Sequence, residues 1–308
     1  MLSRRNIRVK VMQTLYSLEA ADQHAEPKVA VNVLQKNLEQ SGKLFTYLVY
    51  FISETARFAE ADAVKKSSKY LPSETDLTIN TKISGNSLLW TILENKSFQK
   101  AVNEHKLTTD PGLVRRVYDN LSRTPEYKEY IRLQEREKKS EKKILEFIFS
   151  TLMLPDENFI SDVEEKFINW DDDADMMVAL MSGFLQKPSS FNFNEVVSNE
   201  KWEFARELIQ AVINKRDYVM ELIKPKLKNW DADRIASLDM ILMQMGVCEF
   251  MYFETIPTKV TINECIDLAK EYSTDQSGHF VNGILDNIHK ELVAENKIHK
   301  KTFRNSTL

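Results

Sequence analysis

The chain has 308 residues, a formal net charge of −4, and only seven glycines and eight prolines beside many Leu, Lys, Glu and Ala. Few turn formers and many helix formers point to an all-α protein, long enough to bury a core in one large or two smaller domains. The acidic balance excludes long-range attraction of a polyanion by the whole molecule, so any nucleic-acid contact must rest on a local basic patch.

The two cysteines, Cys248 and Cys265, fall on apolar positions of helical patterns. That suits a reducing cytoplasm without a disulfide framework. The N-terminal residues lack an apolar signal core, and no apolar run approaches the roughly 20 residues that span a bilayer. The expectation is a soluble, cytoplasmic chain with no membrane association.

In chain order, Ile7, Val11, Leu15 and Leu18 form one stripe and predict a helix over 4–20. From Gln40 to about Ala61 the run LFTYLVYFISETARF is apolar on more than one side, so that helix should be enclosed by neighbours. KKSSKYLPSETDLTIN, at 65–80, reads as a loop. A helix is expected from about 125 to 153, with the charge run REKKSEKK as a solvated face. QKPSSFNFN, at 186–194, is the best linker candidate.

Beyond Asn194 the pattern predicts helices over 196–214 and 216–228. Asp231 is a natural N-cap, with Trp230 and Ile235 placed as a hydrophobic staple. Thr261 and Glu264 offer a capping box with Val260 and Cys265 as its staple, and Ser273 and Gln276 a second box opening the last helix. That helix has the apolar face Val281, Leu285, Ile288 and Leu292. Asn282-Gly283 would ordinarily mark a hairpin turn, but the apolar period passes through it, so Gly283 reads as a small residue allowing close helix packing. FISDVEEKFINWDDDADM at 159–176 echoes VMELIKPKLKNWDADRIA at 219–236, which fits either a duplicated helical hairpin or shared helix-start chemistry.

The stretch STDQSGHF, at 273–280, resembles a catalytic loop in composition, with Asp275, Ser277 and His279 close together. It lacks the strained strand-to-helix turn that a serine nucleophile needs, and Ser277 and His279 are two apart on a helix and point in different directions. No zinc spacing, Gly-rich phosphate loop or calcium loop is present in the sequence. The reading is non-enzymatic, with no cofactor and no metal.

RRNIRVKVMQTLYSLEA at the start, with WDADRIASLDMILMQMGVCEFMYFETIPTKVTINECIDLAKEYSTDQSGHFVNGILDNI near the end, resembles the NusB family of transcription antitermination factors. The resemblance covers residues 4–20 and about 196–293 and implies a NusB-like helical bundle with an additional helical insertion. The corresponding division is 1–20 as the first helix of the core, 21–195 as insertion, 196–293 as core and 294–308 as a basic tail. The resemblance also implies binding of boxA-like single-stranded RNA of rRNA transcripts, pairing with the small-subunit ribosomal protein NusE, and membership of an RNA polymerase antitermination complex. Two alternatives are the NusB-like RNA-binding module of rRNA methyltransferases, although no cofactor loop is present, and a helical scaffold whose RNA face has degraded.

Arg4, Arg5 and Arg8 stand at the start of a helix with no acid among them, where cations oppose the macrodipole, and phosphate contact would account for the placement. The resemblance adds Gln276, His279 and Phe280 as RNA-contacting residues, Phe280 as a stacking ring. His279 replaces a lysine and Gly278 a histidine common in relatives. For NusE the resemblance picks out Tyr16 and Asp239. Asp239 shares a stripe with Ile235 and Leu242, an awkward place for a carboxylate unless a basic group meets it.

Overall fold

The computed structural model describes residues 2–21, 26–71, 73–74, 79–133, 135–227 and 235–301. Among the described residues there are helices and no strands, in agreement with the all-α reading. The chain divides into two compact units, one of residues Glu39–Val196 and one of Leu2–Leu38 with Val197–Leu308. It passes from the second to the first inside the 41-residue helix α2, Pro27–Ser67.

The Glu39–Val196 unit holds the rest of α2 and helices α3 (Ser87–Leu93), α4 (Lys96–Glu104), α5 (Pro111–Arg123), α6 (Pro125–Arg132), α7 (Lys138–Phe147), α8 (Glu157–Lys166) and α9 (Trp170–Phe184). Each of five helix starts has a side chain that accepts from the first free backbone N–H groups: Asn86, Asn95, Asp110, Thr124 and Asp156. Pro111 and Pro125 follow two of these caps at the position where a missing N–H costs nothing. The enclosed part of α2 supplies Leu44, Phe45, Tyr47, Leu48, Phe51 and Ile52 to the core.

Three expectations are corrected here. QKPSSFNFN is no linker: Phe191 and Phe193 are buried, with ring centroids 5.0 and 6.1 Å from that of Phe45. The helix expected over 125–153 is interrupted, since α6 ends at Arg132 and α7 begins at Lys138, before a π-helical stretch Ile148–Met153. Within the solvated charge run, Glu141 is fully buried and accepts hydrogen bonds from the Tyr130 hydroxyl (2.8 Å) and the Ser87 N–H (2.5 Å). In addition, α2 starts well before Gln40 and reaches into the stretch read as a loop.

The other unit holds α1 (Arg4–Ala20), the start of α2, α10 (Asn199–Asn214), α11 (Arg216–Ile223), α12 (Ser237–Tyr252), α13 (Thr258–Tyr272) and α14 (Ser277–Ala294). α12 is buried over most of its length and packs against α1, α10, α11, α13 and α14. A helix apolar all round has to be central, and this one organises the unit. Gly246 makes the approach of α14 close, since a Cβ there would lie 2.9 Å from Leu285 Cδ2.

The small residue that matters for packing is therefore Gly246. A Cβ on Gly283 would meet nothing within 4 Å, which overturns the close-packing reading of that residue, although the helix does run through Asn282-Gly283 as expected. Both later capping boxes are also corrected. α13 starts at Thr258, so Thr261 lies inside the helix, buried, with its hydroxyl donating to Glu249 Oε2 at 2.8 Å. Ser273 ends α13, and α14 begins at Ser277 with no side-chain cap. Asp231 and Trp230 lie outside the described residues, as does much of the second copy of the echo.

The 297–301 segment docks on the C-terminal end of α12. Lys300 Nζ donates to the Glu249 and Phe253 carbonyls, 2.8 Å each, and Lys301 N–H donates to the Glu254 carbonyl at 3.0 Å. Both carbonyls also accept a backbone N–H, so the cation adds a second donor at a helix end whose dipole favours positive charge.

Candidate nucleic-acid interface

The six candidate RNA residues come from two helix starts, each of which adjoins α13. α1 carries Arg4 and Arg5 in its first turn and Arg8 one turn further on. Arg5 Nη2 donates to Glu271 Oε2 at 2.7 Å near the end of α13, and its Nη1 lies 3.7 Å from both Glu264 and Asp267. The next residue along α13 in reverse, Lys270, touches Gly278 in the first turn of α14. Arg5 thus meets the α13–α14 corner where Gln276 and His279 are exposed and Phe280 is half-buried.

The three arginines are not equivalent. Arg4, 40% exposed at its side chain, pairs with Glu200 at 2.6 Å, and its guanidinium lies 5.8 Å from the Phe204 ring centroid. Arg5 is 36% exposed, and Arg8 is 3% exposed. Arg8 makes a two-pronged pair with Glu249, Nε to Oε1 at 2.7 Å and Nη2 to Oε2 at 2.9 Å, while Thr261 holds the same carboxylate from the other side. Burial opposes the charge on Arg8, but its hydrogen bond and ion pair with Glu249 outweigh that and raise its pKa above the ordinary value. Arg5 is raised in the same way, with burial opposed and outweighed by Glu271. A guanidinium enclosed as Arg8 is has no open face for a phosphate.

The first residue of α14 is held from below. The Ser277 hydroxyl is buried, donates to Asp239 Oδ2 at 2.7 Å, and accepts from the Thr274 N–H at 3.2 Å. Asp239, in the first turn of α12, is 5% exposed, so the group that meets it is a serine hydroxyl and not the base expected from the sequence. Tyr16, by contrast, is 45% exposed on α1. The two partner-binding candidates therefore differ in kind: one offers a ring surface, while the other is turned inward toward the α13–α14 corner.

Sequence reasoning missed the acids that answer the arginines. Glu264, Asp267 and Glu271 recur at spacings of three and four within NECIDLAKE, a row that the helical period makes visible. It missed Phe204 as the ring beneath Arg4 and Arg8, 5.8 and 5.3 Å from their guanidinium carbons, which no local pattern signals. Among the described residues no cluster of His, Cys, Asp and Glu could hold a metal ion, and no helix is long and apolar enough to cross a membrane.

The NusB family model matches residues 169–290, which hold α9–α13 and most of α14 and begin ahead of residue 196, where the sequence resemblance starts. A transcription antitermination protein NusB of Finegoldia magna is 39% identical over 105 residues, covering 34% of this chain and 77% of the relative. The chain belongs to the NusB family. NusB proteins of Bacillus licheniformis and Thermodesulfovibrio yellowstonii, each 34% identical, are covered over 92% and 85% of their lengths and match 37% and 38% of this chain. No solved structure matches it. The NusB family is non-catalytic, and this member is longer than its typical relatives, with much of the Glu39–Val196 unit outside the family match.

Proposed function

We propose that this NusB-family chain is a transcription antitermination factor that binds boxA-type single-stranded RNA of rRNA transcripts together with NusE, within an RNA polymerase antitermination complex in the cytoplasm. The observation that carries the RNA reading is the Arg5–Glu271 pair, which joins the exposed arginines of α1 to the α13–α14 corner bearing Gln276, His279 and Phe280. Arg4 and Arg5 are the phosphate contacts. Their present partners are surface acids, and exposed pairs of this kind contribute only about 0–1 kcal/mol, so an incoming phosphate can displace them. Phe280 supplies a ring for a base, while Gln276 and His279 flank it. Arg8 supports the site by fixing α1 to α12 through Glu249.

Tyr16 is the exposed contact for NusE, and Asp239 acts on the partner through the corner it anchors at Ser277. The acid row Glu264, Asp267 and Glu271 favours a second reading, a NusB-like scaffold whose RNA face is neutralised. Mobility shift of a boxA-type RNA with the intact protein, with and without NusE, separates the two. A shift strengthened by NusE supports the antitermination factor, and no shift in either condition supports the scaffold.

A further inference from the structure

Gly278 is buried in the first turn of α14, and its backbone is in no conformation that demands glycine, since no glycine among the described residues has positive φ. Space is what requires it. A Cβ at this position would lie 2.7 Å from Lys270 Cγ, 3.0 Å from Cε and 3.3 Å from Cδ, so the whole aliphatic stem of Lys270 lies across the glycine. The lysine itself is exposed, in the last turn of α13, and among the described residues it makes no ion pair. Its neighbour Glu271 is held by Arg5.

A lysine has a flexible stem that ordinarily samples many rotamers. Here the stem is laid across Gly278, so the exposed lysine stands at the α13–α14 corner, next in sequence to the Glu271 that holds Arg5. The placement suits the C-terminal end of α13, whose dipole favours a cation, but opposes the start of α14, where a cation is disfavoured. An anion arriving at the corner relieves that opposition.

We propose that Lys270, positioned by the absence of a side chain at Gly278, is a phosphate-contacting residue of the RNA face and supplies a fixed positive charge at the α13–α14 corner. This rests on the RNA-binding reading above. Gly278 is a positioning residue, and its effect runs through Lys270.

The test is a double-mutant cycle read by fluorescence anisotropy with a labelled boxA-type single-stranded RNA at several salt concentrations. Lys270→Met keeps a stem of similar length and removes the charge, so affinity should fall and the log–log salt slope should drop by about 0.7, one phosphate contact on a single strand. Gly278→Ala should give the same loss by pushing the stem aside. The double variant should be no weaker than either single one, because both act on one contact. Lys270→Arg should retain the slope. Full affinity and slope in Lys270→Met, with Arg5→Ala still impaired, overturns the inference and leaves the RNA reading standing. A Gly278→Ala loss that adds fully to that of Lys270→Met overturns the positioning role. Failure of the unsubstituted protein to bind the RNA overturns both the inference and the reading beneath it.

Discussion

The Ser277 hydroxyl donates a 2.7 Å hydrogen bond to Asp239 Oδ2, tying the first residue of α14 to the first turn of α12 inside the protein. Because α14 has no side-chain cap of its own, this bond and the Thr274–Ser277 contacts set where the helix begins. Asp239→Ala removes the carboxylate acceptor of the Ser277 hydroxyl, leaving it the Ser273 and Thr274 hydroxyls at 3.0 and 2.8 Å, and should cost about 0.5–1.5 kcal/mol. Ser277→Ala should cost a similar amount, and the two together less than their sum, since they remove the same bond. Chemical denaturation checks this, and additive losses would show the two residues to act independently.

Arg8 and Glu249 form the buried pair of the α1–α12 contact. Arg8→Ala leaves Glu249 charged and enclosed, so stability should fall by about 3–5 kcal/mol. Arg8→Lys should not restore it, because an ammonium cannot reproduce the two-pronged bond. The readout is the unfolding midpoint. An unchanged midpoint with lost RNA binding would return Arg8 to the phosphate contacts.

Glu271 holds Arg5, and under the proposed function an incoming phosphate must displace it. Glu271→Gln should therefore raise RNA affinity, by at most roughly fivefold given the about 0–1 kcal/mol typical of an exposed pair. Titration at low salt is the sensitive condition, since screening hides the difference at high salt. Weaker binding in this variant would make Glu271 a structural support of the face.

Burial pushes the Cys248 thiol up to about 12, with the neighbouring Glu249 carboxylate adding to the effect, and it raises Cys265 likewise. A folded pKa above the unfolded value, about 8.5, gives a stabilising contribution that is complete below that pH and is lost as pH climbs toward the folded value. Both thiols should resist a thiol-specific reagent at pH 8 in the native protein and react on unfolding. Stability should decline above about pH 9. Rapid native labelling would contradict the burial.

Helices α1, α10, α11, α13 and α14 were legible from their apolar periods and α12 from a long apolar run, while α9, also inside the family match, was not anticipated. Helix starts were less legible. Thr261 with Glu264, and Ser273 with Gln276, satisfy the capping-box pattern, but tertiary partners claimed the hydroxyls: Thr261 turns to Glu249, and Ser273 closes α13. Charge in the sequence also misled, because Arg4, Arg5 and Arg8 look alike in RRNIR, while their exposure is decided by α12 and α13 far along the chain. QKPSSFNFN carried turn-forming residues and two phenylalanines, and the phenylalanines prevailed. Lys270 and Gly278 are eight positions apart in different helices, so their contact exists only in the folded unit.

The most direct measurement of the central claim is the salt dependence of binding to a boxA-type RNA, for the intact protein and for a variant with Arg4→Ala and Arg5→Ala together. If the α1 arginines neutralise phosphates, the intact protein binds with a steep negative slope, and the variant binds more weakly with the slope reduced by about 0.7 per lost contact. Phe280→Ala serves as the internal control, expected to lower affinity by about 1–3 kcal/mol with the slope unchanged, because stacking carries no ionic component. An arginine variant that keeps the full slope would contradict the assignment of this face.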